Sequence, residues 1–169
     1  MGLMVLLVYV DDVLIVGASE ESILELKAYL DSLFTIKYVG VAKYFIGLKI
    51  ECSQRITVSQ AKYIKDMLAD AWLLGVKSAT TPLLAGIKFT SKAGNVLYDL
   101  EPYGRLVGRL LYLSFTQPDI SHASQQLSQF MKQPCKEHWD ATLPFLRYLK
   151  GSSAKGLFFP ATVSTNLVA

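Results

Sequence analysis

Residues 6–17, Leu6-Leu7-Val8-Tyr9-Val10-Asp11-Asp12-Val13-Leu14-Ile15-Val16-Gly17, restrict the fold of this chain more than any other stretch. Two β-prone apolar runs flank two adjacent aspartates, which is the pattern of a tight β-hairpin. Asp tolerates the left-handed backbone of a two-residue turn, although Asn-Gly suits it better. Asp11 and Asp12 are therefore expected at the turn. Two like charges beside low-dielectric strands repel, and a hard divalent cation with oxygen ligands is their natural partner. From the turn alone, a solvated bend that contains two acids explains the residues equally well. Tyr9, two residues before Asp11, is expected on the same strand face as Asp11.

A chain of 169 residues, 51% of them hydrophobic, suits one domain or one domain with a small appendage. Plentiful aromatics and modest charge exclude a disordered segment. Residues 1–84 hold eight Lys/Arg against nine Asp/Glu, and residues 85–169 hold nine against five. An acidic half beside a basic half suits a metal site next to a polyanion groove, and ordinary scatter of surface charge is the plain alternative. Cys52 and Cys135 lie far apart, which favours free thiols in a reducing compartment. Cys135 and His138 have a Cys-x-x-His spacing with His122 upstream, but zinc would need a fourth ligand with no local sign. The apolar start is too short to span a bilayer and lacks the features of a signal peptide, so an intracellular, cytoplasmic protein is expected.

Further along, Ser19 reads as the N-cap of a helix whose Ile23, Leu26, Leu30 and Leu33, with Tyr29, face the sheet. Residues 34–40 read as a short strand and turn. Residues 43–51 read as one longer strand in which Gly47 marks a bulge or a close backbone approach. Residues 55–58 answer as a second strand. Ser59 reads as the N-cap of a helix running to about Leu74, with Ile64, Met67, Leu68 and Ala71 on one face and Gly75 as its stop. Residues 83–97 lack a period and form a connector. The last third is helical. Pro102 suits a first turn, Leu106, Val107, Leu110 and Leu111 form a stripe widened by Tyr112 and Leu113, and Arg105 and Arg109 share one face. A second helix starts at Pro118-Asp119, with Ala123, Leu127, Phe130 and Met131 inward. A third runs over residues 137–150, with Trp139, Leu143, Leu146 and Tyr148 apolar and Gly151 as its stop. Pro144 in its interior is expected to kink or break it. Residues 157–169 contain β-prone pieces with no identifiable partner.

With these pieces in order, the chain resembles the reverse transcriptase region of copia-type retrotransposon polyproteins. The resemblance is carried by Leu7-Val8-Tyr9-Val10-Asp11-Asp12, Lys43-Tyr44-Phe45-Ile46-Gly47-Leu48-Lys49-Ile50, Ser59-Gln60-Ala61-Lys62-Tyr63-Ile64, Leu74-Gly75 and Thr81-Pro82. It continues through residues 103–113, Gln117-Pro118-Asp119-Ile120, residues 127–131, His138-Trp139 and Leu146-Arg147-Tyr148-Leu149-Lys150-Gly151. One four-residue motif would be weak, whereas an ordered series along most of the chain is specific.

The resemblance implies an α+β fold: an antiparallel palm-type sheet with packed helices, followed by a helical thumb/connection region. Residues 1–82 would be part of the palm, 83–101 a connector, 102–151 thumb and connection, and 152–169 a tail leading toward an RNase H domain. Asp11 and Asp12 would belong to the catalytic, metal-binding carboxylate set, with Mg²⁺ or else Mn²⁺ as the ion. Tyr9 and Val10 would lie near the primer end and nucleotide. Tyr44, Phe45 and Gly47 would fall in the primer grip. Arg105, Arg109, Arg147 and Lys150 are candidates for phosphate contact, with a solvated helix face as the plain alternative. The implied partners are an RNA/DNA primer-template, dNTPs, and an N-terminal palm and fingers segment carrying a further catalytic aspartate. No membrane is implied. The sequence departs from the family at Gly40-Val41-Ala42, where Gly, an acid and an apolar residue are usual, at Gln117, where Arg is usual, and at Pro144. A non-catalytic nucleic-acid binder and a degenerate remnant are the other readings of the same residues.

Overall fold

The computed structural model describes residues 3–53, 55–83 and 95–160. Most of the expected connector and the last nine residues of the expected tail lie outside them. The chain opens with an antiparallel hairpin, β1 (Met4–Tyr9) and β2 (Asp12–Gly17), followed by α1 (Glu20–Leu33). Ser19 caps α1 as expected, its Oγ accepting from the Ser22 amide at 3.3 Å, and Glu20 and Glu21 sit at the positive end of the helix dipole. A Cβ built on Gly17 would meet Ile23 and Met4, so α1 lies at the Gly17 end of the sheet face that carries Met4, Leu6 and Val8, and leaves those three exposed. Ile23, Leu26 and Leu30 are half-buried there, while Tyr29 and Leu33 are exposed. None of residues 3–44 is fully buried. Residues 35–40 form no strand, contrary to expectation.

The stretch expected as one strand over residues 43–51 is instead a second hairpin, β3 (Tyr44–Phe45) and β4 (Leu48–Cys52). Ile46 and Gly47 form its two-residue turn, with φ of 50° and 76°. Positive φ at both positions is the signature of a type I′ turn, the bend that matches strand twist. Sequence reading missed it because Ile is a poor residue for that backbone, so the Gly alone suggested a bulge. β5 (Arg55–Ser59) pairs with β4, and β6 (Gly156–Pro160) pairs with β5, giving an antiparallel sheet in the order β3-β4-β5-β6. The start of the expected tail therefore has a partner, one that lies about a hundred residues upstream and leaves no local trace in the sequence.

The core is helical. α2 (Ala61–Asp70), α3 (Glu101–Leu113), α4 (Ser121–Ser128) and α5 (Lys136–Ser152) bury one cluster centred on Ile64, Met67, Tyr103, Leu110, Leu127, Phe145 and Leu149. One continuous core thus spans both sides of the expected boundary at residues 83–101. Ser59 ends β5 and does not cap α2, which begins after Gln60 and stops at Asp70, short of Gly75. Trp72, at φ 57°, takes the left-handed position after the helix, and Leu73 N–H bonds the Leu68 carbonyl at 2.8 Å. That is a Schellman ending with Trp where Gly is usual. The buried stripe of α3 is Tyr103, Val107, Leu110 and Leu113, so the expected stripe is rotated. A 3₁₀ turn over Pro118–Ile120 leads into α4. α5 runs through both Pro144 and Gly151 without a break. Its buried face of Ala141, Phe145, Leu146 and Leu149 holds it against the core, which offsets the backbone donor lost at Pro144.

Candidate active site

The first hairpin forms, but its turn is one residue earlier than expected. Val10 and Asp11 are the loop, and Asp12 is the first residue of β2, opposite Tyr9. Val10 has φ 49° and is 80% exposed. A positive φ at the first turn position alone is the type II′ pattern, which normally uses Gly, so a β-branched residue there is strained. The shift corrects the expected facing as well: Tyr9 shares its face with Asp12, and Asp11 stands at the tip. Both carboxylates are exposed, and among the described residues no ion pair or hydrogen bond occupies either. Two neighbouring, unneutralised hard oxygen donors fit a divalent cation. Among the described residues no cluster of three or more acidic, His or Cys side chains forms, so this pair alone would hold one ion incompletely.

The second hairpin presents Tyr44 to solvent and buries Phe45. Its turn abuts two aromatic residues. A Cβ on Gly47 would sit 3.7 Å from the Tyr63 ring, and the Tyr112 hydroxyl donates to the Ile46 carbonyl. Tyr63 and Tyr112 meet edge-on at 5.4 Å, and Phe115 tilts against Tyr112 at 6.2 Å. Burial raises the Tyr112 phenol above its usual range, with smaller contributions from Tyr63 and from Tyr9 of the first hairpin. Tyr112 was expected only to widen an apolar stripe. Its offset from the buried positions of α3 is the one sequence signal that could have singled it out.

The four cationic candidates are largely engaged within the protein. Arg105 pairs with Glu101 at 3.1 Å on an exposed helix face. Arg109 pairs with Asp70 at 2.6 Å and lies over the Tyr63 ring, fastening α2 to α3. Arg147 Nε donates to the Lys77 carbonyl and Lys150 Nζ to the Val76 carbonyl, so both tie the segment after α2 to α5. Gly151 lets that segment close in, since a Cβ there would lie 3.2 Å from Ser78 Cβ. Gln117, where the resemblance implied Arg, is buried and donates to the Ser152 carbonyl at 3.0 Å, an internal brace. Cys135 and His138 make a helix start, with the Cys135 amide donating to His138 Nδ1 at 2.9 Å.

Residues 1–85 match the family described as reverse transcriptase (RNA-dependent DNA polymerase). The chain belongs to the reverse transcriptase family. It is 40% identical over 157 residues to the retrovirus-related Pol polyprotein of transposon RE2 from Arabidopsis thaliana, covering 90% of this chain and 11% of that protein. It is 37% identical to the Pol polyprotein of transposon TNT 1-94 from Nicotiana tabacum, covering 92% of this chain and 12% of that protein. An uncharacterized mitochondrial protein of Arabidopsis thaliana is 35% identical over 98% of this chain and 69% of its own length. The chain thus corresponds to part of a copia-type reverse transcriptase and spans 10–12% of the length of the first polyproteins it matches. No solved structure matches it. Reverse transcriptases generally use divalent metal and act on nucleic acid, in keeping with a carboxylate pair at a hairpin tip. No helix among the described residues is long and apolar enough to cross a membrane.

Proposed function

We propose that this chain supplies the metal-carboxylate hairpin and the primer-holding turn of an RNA-directed DNA polymerase that extends a primer on an RNA or DNA template. The supporting observation is the first hairpin: a strained tip projects Asp11 into solvent, with Asp12 beside Tyr9 on the adjoining strand. In this reading Asp11 ligates Mg²⁺ directly, and Asp12 ligates it or orients a ligating group. When bound, such ions activate the primer 3′-hydroxyl and stabilise the departing pyrophosphate. Tyr9 and Val10 would border the primer end, and Tyr44, Phe45 and Gly47 would support it. Mn²⁺ would fit the same oxygen donors. Residues 1–82 would act as palm and 102–151 as thumb and connection, although they share one core. Arg105, the exposed one of the four cations, would contribute most to phosphate affinity, with Arg109, Arg147 and Lys150 half-buried.

Two carboxylates cannot enclose two ions about 3.5–4 Å apart, so we place the remaining donor, and the fingers, in a palm segment outside this chain. The isolated chain should therefore bind primer-template and not extend it. Purified chain is mixed with primer-template, dNTPs and Mg²⁺, and product is resolved by length. The expected result is no extension. Extension by the wild-type chain that Asp11→Asn abolishes would sink the claim that further donors are required.

A further inference from the structure

Ile46 is poorly suited to the place it holds in the second hairpin. It stands at φ 50°, in the left-handed region, and its branched Cβ makes that backbone costly. A relaxed bend is available to the same residues: a type II turn would put Ile46 at negative φ and keep Gly47 left-handed, but it splays the strands. Side chains from two helices reach the bend that is adopted. Tyr112 of α3 donates its hydroxyl to the Ile46 carbonyl, and the Tyr63 ring of α2 lies against Gly47. The two rings support each other edge-on at 5.4 Å. Tyr112 is only partly buried, and Leu113 beside it fills the core position, so the hydroxyl is not needed to pack α3. The Ile46 carbonyl lies outside the β3-β4 ladder, and the phenol supplies its partner.

We propose that Tyr112 is a positioning residue that offsets the backbone strain of Ile46 and holds the primer-supporting turn in its hairpin form. The shape of the turn is then set by a hydroxyl 66 residues away in sequence, and not by the turn's own residues. The assignment rests on the polymerase reading given above, in which this turn supports the primer. Its consequence there is alignment, since a support displaced by about 1 Å costs roughly a hundredfold in rate.

Tyr112→Phe keeps the ring against Tyr63 and removes only the hydroxyl. The Ile50 amide, which bonds the Lys43 carbonyl across the hairpin at 2.9 Å, reports whether the strands stay together. In hydrogen exchange it should exchange about fivefold faster in Tyr112→Phe, the scale of one net hydrogen bond, while α5 is unchanged. Ile46→Asn introduces a side chain that tolerates the left-handed backbone. Added to Tyr112→Phe, it should return the Ile50 amide to within about twofold of wild type, because relief of the strain matches the bond lost. A second measurement uses a primer with 2-aminopurine at its 3′ end, annealed to an RNA template, with Mg²⁺ present. Wild-type chain should change the fluorescence of that base. Tyr112→Phe should bind the duplex within about twofold, because phosphate contacts are untouched, yet lose more than about half of the primer-end signal, and the double variant should recover it. Unchanged Ile50 exchange in Tyr112→Phe overturns the brace, and a double variant no better than Tyr112→Phe overturns the offset of strain. Faster exchange with the signal retained overturns the positioning role. So does a Tyr63→Phe chain that shows the same two losses, since that would make them general loosening of the aromatic cluster. A wild-type chain that gives no primer-end signal overturns the polymerase reading and the positioning role together. Exchange in the chain without nucleic acid tells that failure from failure of the brace.

Discussion

Among the described residues, three without glycine's freedom stand at positive φ: Val10, Ile46 and Trp72. Two of them are turns of the candidate site, where backbone strain commonly accompanies function. The third caps a helix, and its indole is 92% exposed, so little packing compensates the strained backbone. Trp72→Gly should raise stability by about 1 kcal/mol, because Gly adopts the left-handed position freely. Urea denaturation of the two chains checks it, and a destabilised Gly variant would mean that Trp72 makes contacts worth more than its strain. His138 offers a pH test. Burial holds its imidazole below the usual value of 6.5, its ring stacks on Phe130 at 4.0 Å, and its Nδ1 accepts a backbone N–H, which requires the neutral form. The unfolded chain therefore binds a proton that the folded chain resists. Stability from this residue is complete above pH 6.5 and is lost as pH falls below it toward the folded value. His138→Asn, whose side-chain oxygen can take the same N–H, should lack that component of the pH dependence.

Among the elements, β6 joins the first half of the chain to the last. Its register sets Gly156 opposite Ser59, and a Cβ on Gly156 would fall 2.4 Å from the Val58 carbonyl oxygen. Backbone cannot yield there as a flexible side chain would. Gly156→Ala should cost about 1–3 kcal/mol and loosen β6 from β5. Thermal unfolding measures the first effect and exchange of the residue 157–160 amides the second; an alanine variant with wild-type melting and protection would show that the register shifts without cost. Next to this strand, Lys155 and Tyr148 both donate to Asp119, at 2.7 and 2.5 Å. Burial pushes the Asp119 carboxyl up, but these bonds outweigh it and hold the group below its usual range. The turn from α5 to β6 is thereby fastened beside the start of α4.

On the scale of the molecule, burial is divided unequally. The helical core accounts for nearly all fully buried apolar side chains, and residues 3–44 have none. The carboxylate hairpin is therefore the part least held by packing, as is common for functional segments. Both edges of its two-stranded sheet are unpaired among the described strands, and Val5, Leu7 and Val16 lie exposed on the face away from α1. The β1 edge carries no charge, and an open, β-prone edge of this kind invites pairing with another chain. The wild-type chain should self-associate with rising concentration, and Val5→Lys with Leu7→Lys should suppress it while leaving the melting of the core unchanged. Sedimentation velocity over a concentration series decides the point; association that survives both lysines would have to use a different surface.

Local signals proved sufficient wherever a residue's neighbours in sequence set its conformation. The first hairpin, the Ser19 cap, the apolar face of α2 and the inward Ala123 and Leu127 of α4 follow from apolar runs, capping and period, because those patterns act over a few residues; Met131, expected inward with them, lies exposed beyond the helix. The ordered motifs placed the chain in its family for the same reason. The Ile46-Gly47 bend, the pairing of β6 with β5, the continuity of α5 through Pro144 and the contact of Tyr112 with the Ile46 carbonyl were decided by tertiary structure. In each, a distant segment supplies the hydrogen bond or buried surface that outweighs a local preference, and no window of sequence contains both partners.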